Sequence, residues 1–144
     1  MNGSGSRWGL RLLEWLAAAA GAITCIVVPV LFAQPQGRDF LFPALYFVEI
    51  ALCGLLVLAY VAFRPRLSLV WGAVPWAAAG ILLTFVILGG FSIGRYLIPG
   101  LIAFLAVALL AGLQSGAPVA QRLGIFLVAA VAQGAAMLIA LRLF

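Results

Sequence analysis

The feature of the sequence that most constrains its fold is a series of long apolar runs. A helix of about 20 apolar residues is long enough to cross the hydrocarbon core of a bilayer, which is about 30 Å thick. Short clusters of Arg, Gly, Pro and Gln separate five such runs, at residues 12–32, 41–63, 67–88, 96–113 and 120–143. The pattern predicts an all-α polytopic bundle of five transmembrane helices, which forms a single membrane domain over residues 1–144.

The boundary between the third and fourth runs allows a second topology. Residues 89–95 contain three glycines and one arginine but are otherwise fairly apolar. A tight hairpin here keeps five spans, whereas a re-entrant glycine-rich segment at 89–95 reduces the count to four. Because the runs on both sides are each long enough to cross the hydrocarbon core, the sequence favours the hairpin.

Composition excludes several classes of protein. The chain is 67% hydrophobic and 8% charged, whereas soluble domains are about 45–50% apolar and about 25% charged. It has no His, and all eight basic residues are Arg, so imidazole ligands, a histidine base and lysine Schiff-base chemistry are excluded. We therefore expect no catalytic site, no metal and no cofactor. The arginines that give the net charge of +5 are scattered along the chain and do not form the basic cluster that nucleic-acid binding needs, so we also expect no binding to nucleic acid.

The arginines predict an orientation, because Lys and Arg are enriched in cytoplasmic loops. A cytoplasmic N-terminus places five arginines inside, and these are Arg7, Arg11, Arg64, Arg66 and Arg122. The three outside are Arg38, Arg95 and Arg142. This bias predicts that the N-terminus is cytoplasmic and the C-terminus is outside. The use of Arg without Lys and the abundance of Ala and Leu are compatible with a GC-rich bacterium, so we expect a bacterial inner membrane.

Glu14 lies near the start of the first apolar run. Arg11 precedes it by three residues and Arg7 by seven, so the three side chains share one helical face. We interpret this segment as a helix that enters the membrane at the cytoplasmic interface, with a lipid-sensing or partner-docking segment as the alternative. The run is longer than the 7–15 apolar residues of a signal peptide, so we expect it to be retained.

Glu49 lies well inside the second apolar run. At 1.5 Å per residue, it is roughly 12 Å from the outer end of that run, and Arg95 begins the fourth run on the same outer side. A carboxylate inside a membrane is costly unless it is paired or neutralised. Glu49, Arg95 and Tyr46 are therefore a candidate buried ion pair or ion site. A purely structural pair and a contact with a neighbouring subunit or lipid head group are open alternatives.

Small residues recur along the fifth run at helical spacing. Ala129, Ala132, Ala136 and Ala140 are three or four residues apart, and small-residue faces let helices approach closely in lipid. We predict that they form a helix-packing face, which packs within the monomer or docks on another subunit.

Two functions fit these features. The first is a non-catalytic structural or accessory subunit of a larger membrane complex, whose partners are the lipid bilayer and other membrane subunits or further copies of the chain. The alternative is a small homo-oligomeric channel or transporter that uses Glu49 and Arg95 to pass protons or a small ion. The short loops and the few polar residues favour the first, because a channel lines its pore with several polar groups.

Overall fold

The fold is that of a computed structural model, which describes residues 3–33, 41–90, 92–116 and 118–143. Two charged residues of the predicted first loop, Arg38 and Asp39, lie outside the described residues. Within the described ranges the chain is almost entirely helical and contains no strand. Its α-helices are α1 (Gly3–Phe32), α2 (Leu41–Phe63), α3 (Val74–Leu88), α4 (Gly94–Ser115) and α5 (Val119–Leu143).

The described residues contain five helical segments that are long and apolar enough to cross a membrane. The predicted fold class is therefore confirmed. The boundaries differ most at the starts of the first and third spans. α1 begins at Gly3, nine residues before the predicted start, and α3 begins at Val74, seven residues after it and preceded by a short 3-10 helix, Leu69–Ala73. Pro75 lies in the first turn of α3, where its missing N–H costs no helical hydrogen bond. The third crossing segment, Val70–Leu88, therefore includes a tighter turn at its start.

The glycine-rich segment at 89–95 forms a tight turn between α3 and α4. The Gly94 N–H donates to the Gly89 carbonyl at 2.7 Å, and the Ser92 N–H donates to the same oxygen at 2.9 Å. A Cβ atom added to Gly89 would lie 2.7 Å from the Phe85 carbonyl oxygen, so the turn has no room for a side chain there. The turn joins two helices that are each long and apolar enough to cross a membrane, in agreement with the five-span prediction. Phe91, inside this segment, lies outside the described residues.

The first four helices form a closed ring. α1 packs against α2 and α4, and α3 packs against α4 and α2. α5 lies outside this ring and packs chiefly against α3. Because successive helices run in opposite directions, the starts of α1, α3 and α5 lie at the same end of the bundle as the ends of α2 and α4.

We name the two ends of the bundle by their residues. The arginine end contains Arg11, Glu14, Arg64, Arg66 and Arg122. The aromatic end contains Phe32, Tyr46, Phe85, Arg95 and Tyr96. The two ends therefore differ in side-chain chemistry, although both terminate the same five helices.

Small residues set the distances between the helices. Phe104 fills the interior of the ring and is fully buried. A Cβ atom added to Gly54 on α2 would lie 3.1 Å from the Cα of Ala22 on α1, and one added to Gly80 on α3 would lie 3.1 Å from the Ala130 nitrogen on α5. Helices in lipid associate through this kind of close backbone approach.

One hydrogen bond connects α5 to the ring near the middle of its length. The Thr84 hydroxyl on α3 donates to the Ala130 carbonyl on α5 at 2.8 Å. It also lies 3.4 Å from the Gly80 carbonyl of its own helix. The buried hydroxyl of Thr84 thus has acceptors on both helices.

Candidate functional site

Two charged side chains from different helices meet inside the arginine end. Nη1 of Arg64 donates to the two carboxylate oxygens of Glu14, at 2.7 and 2.6 Å. The Glu14 side chain is buried, with the residue 2% exposed, and this contact is the only salt bridge among the residues that the structure describes. Hydrogen bonds between ionised groups are roughly twice as strong as those between neutral groups, so the pair holds α1 to the end of α2.

The local fold brings Arg64 to this position. Pro65 follows it directly, and a proline disfavours continued α-helix in the residue before it. The chain turns there into the 3-10 helix Arg64–Arg66. Nη2 of Arg64 also lies 3.4 Å from the Ala111 carbonyl oxygen on α4. One guanidinium group therefore contacts both α1 and α4 from the end of α2.

The Glu14–Arg64 pair adds a partner for Glu14 that the sequence did not predict, while the position of this segment at the membrane interface stays a prediction. Its spacing from Arg7 and Arg11 predicted a shared face of α1, but the Glu14 carboxylate points into the bundle, while Arg11 is exposed. The sequence does contain a signal for the pair. Glu14 lies near the start of the first apolar run and Arg64 directly follows the second, and antiparallel helices bring those two positions to similar depth.

Arg122 is a buried arginine at the arginine end. It lies in the first turns of α5 and is 6% exposed. Two glycines leave space for its guanidinium. A Cβ atom added to Gly112 on α4 would lie 3.2 Å from Nη1 of Arg122, and one added to Gly72 would lie 3.6 Å from Nη2. Sequence reasoning missed this burial, because Gly72 and Gly112 are distant from Arg122 in the chain.

A polar cavity of about 240 Å³ lies between the buried Arg122 and the partly exposed Arg64. Its lining consists of Tyr60, Arg64, Leu67, Ser68, Gly72, Gln114 and Arg122. None of these residues is acidic. Glu14 instead lines a separate cavity of about 120 Å³, which Arg64 also borders. The 240 Å³ space, named here the arginine cavity, thus has two guanidinium groups and several hydrogen-bond donors in its wall.

Glu49 and Arg95, the predicted ion pair, do not meet. The carboxylate of Glu49 is half-buried and lies near the side chain of Gln133 on α5. Arg95 is exposed, its Nη2 donates to the Tyr96 hydroxyl at 2.7 Å, and its guanidinium carbon lies 4.7 Å from the centre of the Tyr96 ring. The expected ion pair is therefore absent from the described residues. Arg95 contacts Tyr96, and Glu49 lies near Gln133. An ion site at Glu49 stays a prediction.

Tyr46, the third candidate residue, belongs to the aromatic end. It lines a mainly apolar cavity of about 330 Å³ together with Phe47, Ile50 and Met137, among others. Its ring meets the Phe85 ring edge to face, with the ring centroids 5.7 Å apart, which is a favourable arrangement for two aromatic rings. Tyr46 is thus separated from the charged groups of the arginine end by much of the length of α2.

The four alanines of the predicted packing face have different surroundings. Ala129 lies against Gly80 of α3, and Ala140 is half-buried. Ala132 and Ala136 are exposed within the monomer. One end of the predicted face therefore contacts the ring, while its middle faces away from it.

Known proteins give no indication of the function of this chain. No protein family, no curated protein and no solved structure matches the chain. In the part of the chain that the structure describes, no group of three or more His, Cys, Asp or Glu side chains could hold a metal ion. The arginine end, with its buried ion pair and its polar cavity, is consequently the candidate functional site.

Proposed function

We propose that the protein is a non-catalytic structural or accessory subunit of a larger membrane assembly, with α5 as the helix that contacts its partners. One observation carries this proposal. Only 6% of the α5 crossing segment is buried inside the monomer, against 33% for α1, α2 and α4 and 50% for α3. α5 packs chiefly against α3 along one side, so most of its remaining surface is available to another molecule.

The side chains on the outer surface of α5 support a protein partner. Ala132 and Ala136 are exposed one turn apart, with exposed Val128 and Leu138 nearby. Small side chains allow the backbone of a second helix to approach closely, and van der Waals packing is what drives helix association in lipid. Larger apolar side chains around them would then pack against the flanks of that helix.

Purification in mild detergent tests this proposal. We expect further subunits to remain bound in fixed stoichiometry to the wild-type chain and to be lost from Ala136→Phe, because the larger ring keeps the partner helix at a distance. Ala59→Phe is the matched control, since Ala59 is exposed on α2 and should leave the complex intact. A wild-type chain that purifies as a lipid-bound monomer would contradict the proposal.

A homo-oligomeric channel or transporter is the second candidate, and the Glu49–Gln133 contact favours it. Two polar side chains from α2 and α5 meet there within crossing segments, and intramembrane acids often mark ion or proton pathways. For this candidate we expect a homo-oligomer whose proton flux into liposomes disappears in Glu49→Gln. Equal flux for wild type and Glu49→Gln would exclude the pathway.

The proposed location is a bacterial inner membrane, with the N-terminus in the cytoplasm and the C-terminus outside. The clustering of arginines at the arginine end supports this orientation, because cytoplasmic segments are enriched in Arg. Cysteine labelling in intact cells tests it. A membrane-impermeant maleimide should label Arg95→Cys and should label Arg66→Cys only after the cells are opened, since both positions are exposed at opposite ends. The reverse labelling pattern would invert the orientation.

A further inference from the structure

The arginine end has an excess of positive charge. Arg7, Arg11, Arg64, Arg66 and Arg122 belong to helix termini at this end. Glu14 is their acidic neighbour, and both of its oxygens already accept from Arg64. The half-buried Glu49 is many residues before Arg64 along α2, and each residue adds roughly 1.5 Å to their separation along the helix axis. Asp39 lies outside the described residues. An anion from outside the chain would therefore be attracted to this end.

The arginine cavity concentrates this charge at one place. Arg122 forms part of its wall while being only 6% exposed, and Arg64 contributes a second guanidinium. Guanidinium groups bind phosphate and carboxylate through two parallel hydrogen bonds. The Tyr60 and Ser68 hydroxyls and the Gln114 amide add further donors to the lining.

We propose that the arginine cavity binds a phosphate group, carried by an anionic lipid head group or present as the free anion. Five polar side chains from α2, α4, α5 and the segment between α2 and α3 converge on the cavity. This number suits a tetrahedral anion with several oxygens better than a carboxylate with two. The volume of about 240 Å³ is several times the roughly 30 Å³ that a water molecule occupies, so a phosphate with part of a head group fits.

The position of the cavity brings it to the level of lipid head groups. Its lining residues lie where the crossing segments end or begin: Arg66 ends the second segment, Val70 begins the third and Gln114 ends the fourth. The lining residues Ser68 and Gln114 are exposed, so the cavity has polar groups at its surface. A phosphate in the interfacial region can therefore approach without crossing hydrocarbon.

Thermal unfolding of the full-length protein in a neutral detergent tests the proposal at constant ionic strength. The probes are dioctanoylphosphatidylglycerol, dioctanoylglycerol, inorganic phosphate and acetate. We expect the phosphatidylglycerol to raise the unfolding midpoint by about 4 °C at about ten times its dissociation constant, and dioctanoylglycerol, which has the same chains without phosphate, to leave it unchanged. An equal rise with inorganic phosphate identifies the free anion as sufficient, and a rise with the lipid alone identifies the head group.

Two pairs of variants locate the effect. Arg122→Gln should abolish the rise, whereas Arg66→Gln removes the same charge from an exposed residue of the same end and should preserve it. Ser68→Glu changes an exposed residue that lines the cavity, so it tests the site even if Arg122→Gln does not fold. We expect Ser68→Glu to abolish the rise and Gln121→Glu, exposed beside Arg122 and outside the lining, to preserve it.

Three results would overturn the proposal. The first is the absence of a rise with either source of phosphate. The second is an equal rise with acetate, which would assign the cavity to a carboxylate, such as one from a partner protein. The third is a rise that persists in Ser68→Glu, because the anion would then bind elsewhere.

Discussion

The two ends of the bundle treat their charged residues in opposite ways. At the arginine end, Glu14 and Arg122 are buried, and Arg64 bridges from the carboxylate of Glu14 to a carbonyl of α4. At the aromatic end, Arg95 is exposed. Its guanidinium donates a hydrogen bond to the hydroxyl of the adjacent Tyr96 and lies over the Tyr96 ring. The cavity at the arginine end is polar, while the larger cavity at the aromatic end is lined mainly by apolar side chains.

At the arginine end, the buried carboxylate of Glu14 has an opposite charge at the same depth, whereas Arg122 is buried where Gly72 and Gly112 leave space for its guanidinium. Burial of a single charge is strongly unfavourable, and a buried pair is tolerated when its geometry and further hydrogen bonds compensate the loss of water. Glu14 offers such a partner to Arg64. Glu49 lies deeper in its helix than Arg95 lies in its own and is near Gln133 instead, while Arg95 is at the surface.

The largest expected effect comes from breaking the buried pair. Glu14→Gln removes the negative charge and leaves the Arg64 guanidinium without its counter-ion, so we expect the free energy of unfolding to fall by about 3 kcal/mol. Arg66→Gln, an exposed change at the same end, should alter it by less than about 0.5 kcal/mol. Equilibrium unfolding in mixed detergent micelles measures both values.

A double-mutant cycle sharpens this result. If Glu14 and Arg64 act as a pair, the loss in the variant carrying both Glu14→Gln and Arg64→Gln is smaller than the sum of the two single losses. Strict additivity would show that each residue stabilises the bundle independently, and the contrast between the two ends would then need another explanation.

A smaller effect is expected from filling the space beside Arg122. The methyl group of Gly112→Ala would lie 3.2 Å from Nη1 of Arg122, so the guanidinium must give by a few tenths of an ångström. We expect this crowding to cancel the stabilisation of up to about 1 kcal/mol that Ala otherwise brings to a helix position occupied by Gly. Gly124→Ala on α5 is the control. Nothing lies within 4 Å of a Cβ atom there, and Ala favours a helix over Gly by up to about 1 kcal/mol. Equal stability of the two variants would contradict close packing around Arg122.

The smallest effect is expected at the aromatic end. Arg95→Gln removes an exposed charge that bonds only to its neighbour Tyr96 among the contacts described, so the unfolding free energy should change by less than about 0.5 kcal/mol. The same unfolding measurement applies. A loss comparable to that of Glu14→Gln would remove the distinction between the ends.

Much of the fold follows from local sequence features. The run at 41–63 coincides with α2, and the run at 120–143 begins one residue after α5 begins. The boundaries follow because each run is bounded by residues that break helices or stay out of hydrocarbon, such as Arg64 and Pro65. The start of α3 was less predictable, because residues 69–73 are apolar enough to continue a helix but wind into a 3-10 turn before Pro75.

The charged site was only partly predictable from the sequence. Shared depth predicted a pair between Glu49 and Arg95, which do not meet, and the pair that does form, Glu14 with Arg64, was not predicted although both lie at similar depth. Depth along a helix can be counted from the sequence, but the direction in which a side chain points depends on which helices are neighbours. The burial of Arg122 depends in the same way on space left by Gly72 and Gly112, which only the tertiary packing of the helices brings close to Arg122.

The sequence by itself determined that this is an all-helical protein with five segments able to cross a membrane, because hydropathy and helix breakers act over a few neighbouring residues. The tertiary structure decided that four helices close into a ring and that α5 stays outside it. It also decided which charges are buried together. Those outcomes depend on contacts between residues far apart in the chain, where a single glycine or carboxylate at the right depth determines whether an arginine enters the bundle or remains at its surface.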